Sequence, residues 1–292
     1  MLTPFHVLHP TTIPEATREL QRLGERVKVY AGGAELLLLL RHKLLEAEYL
    51  LNIKGIHELN GIVRDGSLLR IGATVTHHRL ESDPLVRECL PMLAHAESQV
   101  ANIRVRNQGT LGGNLCFNDP HSDPSTSLLV YEAKVMVAGR SGVREMPLNE
   151  FLMGMYATAL EPDELLIEVL VPPLQSGFGD AYLRVHNFQR PTLGVAVAAR
   201  LQDERIAGVR LAVGCIGPKA ERLGELEAQL MGASMVEAER VIGQSRPYLN
   251  DLLQPVNDLL GSADYKLYIA QVLLQRGLEQ AVHSNGGHES VG

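Results

Sequence analysis

Arg106-Asn107-Gln108-Gly109-Thr110-Leu111-Gly112-Gly113-Asn114, followed closely by Asn118-Asp119-Pro120-His121-Ser122-Asp123-Pro124, is the stretch on which the reading of this chain turns. From 107 to 124 the sequence is so rich in Gly, Asn, Asp and Pro that no regular structure is expected. Loops of this length inside compact domains are usually functional. Its glycines let backbone approach a ligand closely, and Thr110 and Asn114 set side-chain donors beside backbone N–H groups, a chemistry suited to phosphate oxygens. The carboxylates of the second element, in a Pro-fixed turn, suit ribose or ribityl hydroxyls, although an Asx turn or a cap explains each equally well.

About eighty residues upstream lies a second glycine turn, Tyr30-Ala31-Gly32-Gly33-Ala34-Glu35-Leu36. It follows a short strand, Val27-Lys28-Val29-Tyr30-Ala31, and leads into a Leu-rich helix expected from Ala34 to about Leu45. N–H groups at such a helix start are aimed at negative charge. Alone the signal is weak: it is neither G-x-G-x-x-G nor a phosphate loop, and a Gly-Gly turn is more often structural. Glu35 is explained as well by the helix dipole as by a ligand. The pairing carries more, because two diphosphate-compatible turns in different subdomains suit a long dinucleotide clamped at an interface. FAD, or a similar dinucleotide held outside the Rossmann fingerprint, is the expectation.

The rest of the chain frames these turns. Ala16, Leu20 and Leu23 recur at helical spacing, with Gly24 as a stop. Leu50-Leu51-Asn52-Ile53 reads as a strand, with Gly55 as a hinge into the next subdomain. Strand-like runs at 61–64 and 68–72 flank Asp65-Gly66, a hairpin signal. Thr76 caps a helix from His77, and another helix is expected from Met92 to Val100. Strands are expected at 134–137 and 165–171, a domain boundary at Gln175-Ser176-Gly177-Phe178-Gly179, then paired strands at 193–201 and 206–216 and helices to Ala281. The segment 285–292 reads as a flexible polar tail.

Composition excludes several functions. A net charge of −7, spread along the chain, leaves no basic footprint for nucleic acid. No segment reaches the roughly 18 apolar residues of a membrane span and no export signal opens the chain, so a cytoplasmic protein is expected. Cys89, Cys116 and Cys215 are too far apart to read as a zinc or iron–sulfur site, and buried free thiols are expected. His77, His78 and His121 have no third ligand nearby and read as hydrogen-bonded or solvent-facing; Tyr156 and Tyr182 read as core. No catalytic residue and no metal site emerge.

The Thr-x-Gly-Gly-Asn element at 110–114, the Asp-Pro-x-Ser-Asp element at 119–123, the Ala-Gly-Gly turn at 31–33 and the opening Phe5 to Pro14 resemble, in order and spacing, the FAD-binding medium subunit of the molybdenum hydroxylases, the group of carbon monoxide dehydrogenase and xanthine dehydrogenase. The likeness runs over nearly the whole chain. It implies an α+β protein: a two-subdomain FAD-binding fold of the vanillyl-alcohol-oxidase-like type over 1–176, divided near residue 56, then a smaller α+β C-terminal domain over 177–284. Val29 to Leu36 and Thr110 to Asn114 would hold the diphosphate and adenosine side, Leu111, Gly112 and Gly113 included. Asp123 would hold polar groups near the ribityl chain, Leu166 would line the flavin with Val100 close by, and Arg184 stands where relatives often carry Lys. Gly194 stands where many carry Asp. The implied role is electron transfer, FAD receiving electrons from [2Fe-2S] clusters of a small partner subunit while a large subunit carries the molybdenum cofactor, as a dimer of heterotrimers, with an external acceptor. A self-sufficient FAD oxidase, or a scaffold that has lost its flavin, are the alternatives.

Overall fold

A computed structural model of the chain describes residues 4–186 and 190–284, so the expected tail at 285–292 lies outside the described residues. The first layer is a three-stranded parallel sheet of β1 (His6–Leu8), β2 (Val27–Tyr30) and β3 (Tyr49–Asn52), in the order β1-β3-β2. Helix α1 (Ile13–Leu23) covers it. The Thr12 hydroxyl accepts from the Glu15 N–H at 3.3 Å, Pro14 fits the first turn, where no N–H is needed, and Gly24 ends the helix at φ +56°. Ala16, Leu20 and Leu23 pack on Val27, Leu51 and Ile53, the helical spacing read from the sequence. The helix after the glycine turn, α2 (Leu36–Arg41), is shorter than expected and leaves Glu35 just before its first turn. Lys43 at φ +58° turns the chain away.

Two single-turn segments, Ile53–Gly55 and His57–Asn60, lead to an antiparallel sheet. Strands β4 (Ile62–Asp65) and β5 (Leu68–Gly72) form the hairpin around Asp65-Gly66, with Gly66 at φ +60°. With β6 (Lys134–Gly139), β7 (Gly142–Pro147) and, after the short pair β8 (Leu152–Gly154) and β9 (Ala157–Thr158), β10 (Leu165–Val171), the order is β4-β5-β10-β6-β7.

Between β5 and β6 run helices α3 (His77–Ser82), α4 (Pro84–Cys89), α5 (Pro91–Gln99), α6 (Ile103–Gln108), α7 (Leu111–Phe117) and α8 (Asp123–Val130). The stretch 107–124 is therefore largely helical, against the expectation of an irregular loop. Asn102 caps α6 through the N–H groups of Arg104 and Val105, Thr110 caps α7, and Asn118 ends α7 in the left-handed region. Gly112 stands inside a helix because of its neighbour: a Cβ there would lie 2.6 Å from the Cβ and 2.7 Å from the carbonyl oxygen of Ala73.

The third sheet, antiparallel, holds β11 (Gly179–His186), β12 (Pro191–Gln202), β13 (Arg205–Gly214) and β14 (Glu221–Arg222) in chain order. One face meets α8 through Ala196, Ala198 and Ala212. After the short α9 (Leu148–Phe151) of the preceding layer, the last helices are α10 (Gly224–Leu230), α11 (Met235–Gln244), α12 (Arg246–Leu253) and α13 (Ala263–Ser284). They pack on the opposite face, where Leu193, Val195, Val197 and Ala199 alternate with the alanines along β12. Every residue of α8 is buried, which makes it the wedge between the helical layer and this sheet. No described helix is long and apolar enough to cross a membrane.

Gly112→Ala should lower stability by about 1 to 3 kcal/mol, because the added methyl meets backbone rather than a flexible side chain. Urea or thermal unfolding of the full chain reads it, and an unchanged midpoint would refute the packing reason for this glycine.

Candidate functional site

The two glycine turns, distant in sequence, meet in space. A Cβ at Gly32 would lie 2.1 Å from the Gln108 carbonyl oxygen and 2.9 Å from Gly109 Cα, so the two backbones touch where only glycine fits. Gly33 takes φ +76°, and the Tyr30 ring fills the place of its missing side chain. Along this junction runs a cleft of about 460 Å³. Val29, residues 31–36, Val100, Thr110, residues 112–114, Asp123 and Leu166 all line it. Tyr30, Leu111 and Arg184 do not. Tyr30 packs beside the turn under the Lys54 ammonium, Leu111 is core, and Arg184 stands behind Asp123.

The N–H groups at the start of α7 are already used, contrary to the sequence reading. Leu111 donates to Val75 O at 2.9 Å, Gly112 to Ala73 O at 3.0 Å, Gly113 to Thr110 Oγ1 at 3.1 Å and Asn114 to Thr110 O at 2.9 Å. The first two anchor α7 on the chain that leaves β5. Donors from this side of the cleft must come from side chains. Asn114 is oriented to supply one, since Ser122 Oγ donates to its Oδ1 at 2.6 Å and so directs the amide NH2 end elsewhere.

Asp123 is 3% exposed, and both its oxygens are held. The Tyr182 hydroxyl donates to Oδ1 at 2.6 Å and Arg184 Nη1 to Oδ2 at 3.0 Å; Arg184 also donates to the Gln99 carbonyl. Burial pushes the Asp123 carboxyl up to about 6, against the opposing pull of Arg184 and of the Tyr182 hydroxyl. Asp119 is half-buried, which raises it, but two hydrogen bonds from His121 and the nearby Arg190 outweigh that and hold it below its usual range. Glu35 is raised, first by burial and then by Asp119.

Asp119, Arg190 and His77 line the cleft without having been singled out as ligands, and Leu160 and Leu165 add apolar wall. Asp119 stood in the quoted motif; nothing local marks the others, since their place depends on how the layers stack. Tyr156, expected in the core, is 53% exposed, with its ring 5.1 Å from that of Phe117. Of the cysteines only Cys215 is buried; Cys89 and Cys116 are half-buried, and burial pushes the Cys116 thiol up to about 12. Among the described residues no group of His, Cys, Asp and Glu could hold a metal ion. A largely apolar cleft with a few convergent polar groups and glycines that admit no Cβ fits a long cofactor with a phosphate centre.

The chain matches two family models: the FAD binding domain in molybdopterin dehydrogenase over residues 3–174, and the CO dehydrogenase flavoprotein C-terminal domain over residues 188–281. It is 32% identical over 284 residues to the carbon monoxide dehydrogenase medium chain of Hydrogenophaga pseudoflava, covering 96% of this chain and 98% of that one. To the nicotine 6-hydroxylase medium subunit of Paenarthrobacter nicotinovorans it is 30% identical, covering 93% and 95%. A solved structure of the H. pseudoflava carbon monoxide dehydrogenase, lacking the Mo-pyranopterin moiety of its cofactor, superposes with a TM-score of 0.92 over 97% of this chain.

Because the folded-state value for Asp123 lies above its ordinary 3.8, its contribution to stability is complete at low pH and is lost as pH rises through about 6. Relative to Asp123→Asn, the wild-type chain should therefore lose stability between about pH 4 and pH 6.5. Urea midpoints across that range check it; parallel curves would sink it.

Proposed function

The chain belongs to the family of FAD-binding domains of the molybdopterin dehydrogenases, and from that premise we propose that it relays electrons, taking them from the iron–sulfur clusters of a small partner subunit and handing them to an external acceptor. It is the flavoprotein subunit of an oxidoreductase, and its cofactor is FAD. When bound, FAD accepts electrons singly and releases them as a pair, which is why such a relay uses it. The proposal assigns the substrate chemistry to a large molybdenum-cofactor subunit, in a dimer of heterotrimers. Relatives of nearly equal identity, named for carbon monoxide and for nicotine, support a role for this chain that does not depend on substrate.

One observation carries the reading: two glycine turns from different layers in backbone contact along a cofactor-sized cleft. In it, residues 31–36, Thr110 and residues 112–114 would take the diphosphate and adenosine side, with Leu166 and Val100 against the ring. Asp123, fixed by Tyr182 and Arg184, keeps an acceptor near the ribityl hydroxyls. Tyr30 and Leu111 act only by shaping the turns, and Arg184 by holding Asp123. The same reading divides the chain at residue 177, and the first part near residue 56.

Glu35 supports a second reading. Its proton affinity is raised, and among the described residues it lacks the hydrogen-bonded clamp that holds Asp119 and Asp123, so a self-sufficient oxidase would have to use it as base. Two measurements separate the readings. The purified chain should show a flavin spectrum, release FAD on denaturation and be reduced by a reduced iron–sulfur partner, with no steady turnover of its own. Turnover by the isolated chain that disappears in Glu35→Gln would establish the oxidase; a colourless chain that takes up no FAD would leave only the scaffold.

A further inference from the structure

His77 is 3% exposed and lies at the start of α3, yet it lines the cleft. Its Nδ1 is 2.6 Å from Oε2 of Glu97, a carboxylate with no exposed surface whose other oxygen has no hydrogen-bond partner. The opposite edge of the ring lies under the second glycine turn. A Cβ at Gly109 would be 2.9 Å from His77 Cδ2 and 3.2 Å from Nε2, and the His77 N–H donates to the Gly109 carbonyl at 3.1 Å. Gly109 is also where Gly32 makes contact, so His77 stands beneath the junction of the two turns. Among the described residues, Nε2 has no hydrogen-bond partner.

We propose that His77 is a further binding residue of the cleft, its Nε2–H donating to a phosphoryl oxygen of the bound dinucleotide while buried Glu97 fixes the ring. The inference rests on the flavin reading above and goes beyond it. Three features lead to it. The backbone donors of residues 111–114 are used within the protein, which leaves the phosphate side of this turn to side-chain donors. With Nδ1 held against a buried carboxylate, the one ring nitrogen left to face a ligand is Nε2, and an imidazole can carry a proton on both nitrogens. The second proton makes Nε2 a donor. Finally, the Nδ1–Glu97 contact locks the ring so that this donor lies beside glycine backbone, where a phosphate can come close.

The test uses the full chain freed of FAD and three probes: FAD, ADP and riboflavin, which lacks phosphate. His77→Phe keeps bulk but removes the donor, and should weaken FAD and ADP by about ten- to hundredfold while leaving riboflavin within about twofold. His77→Gln, whose amide can place a donor near the same point, should recover part of the loss. Equal losses for ADP and riboflavin, or no loss for either, would overturn the assignment. Should the variants unfold, the wild-type chain answers: with 15N-labelled histidine, the Nε2 resonance of His77 should move on adding ADP and stay put on adding adenosine. Movement with neither, or equally with both, refutes it. A wild-type chain that binds no FAD fails the flavin reading as well, whereas FAD binding that ignores His77 fails this inference alone.

Discussion

The rest of the site depends on one steric constraint, the contact between the Gly32 backbone and the Gln108–Gly109 peptide. No Cβ can stand at Gly32 while those atoms keep their places, since real Cβ atoms do not approach a carbonyl oxygen to 2.1 Å. The contact holds the turn after β2 against the end of α6, and Gly32 and Gly109 both line the cleft. Gly112 against Ala73 does the same for α7. Both contacts join elements from different parts of the chain, so the cleft exists only when the layers are docked.

A second constraint ties the cleft to the C-terminal sheet. Helix α8 begins at Asp123 and is buried from end to end, and its first residue is clamped by Tyr182 and Arg184 from β11. Arg184 pairs in register with Gly194 of β12, and the space a Gly194 side chain would need is taken by the Tyr182 hydroxyl at 2.5 Å. The two positions at which the sequence departs from the resemblance are thus one structural unit. With Tyr182 bonded to Asp123, position 194 must be small, and the charge opposing Asp123 comes from Arg184 on the neighbouring strand. An Asp at 194 would displace the hydroxyl and set a second carboxylate beside a carboxyl whose ionised form burial already disfavours.

Much of this could be read from the chain, and the failures have a common cause. The periodicity of Ala16, Leu20 and Leu23, the Asp65-Gly66 hairpin and the apolar run of β10 are local signals, and each gave its element. The stretch 107–124 did not, because its glycines argue against a helix locally while the reason for them, Ala73 pressed against Gly112, is tertiary. The cleft divides in the same way. Its glycine turns and Asp123 carry local chemistry in the sequence. His77, Arg190 and Leu165 reach the cleft only by where β10, α3 and the third sheet bring them, and no pattern around them says so.

The charges around the cleft explain why it suits holding a cofactor better than transforming a substrate. Asp119 is paired with His121 and Arg190, Asp123 with Tyr182 and Arg184, Glu164 with Arg144, and His77 with Glu97. A group with its charge already balanced is a poor base, since taking a proton breaks an interaction that burial has made strong. It is a good fixed dipole, because it needs no reorganisation when a polar ligand arrives. Glu35 apart, a cleft built of such pairs, with two glycine turns pressed together along it, is preorganised for a ligand whose own electrons do the chemistry.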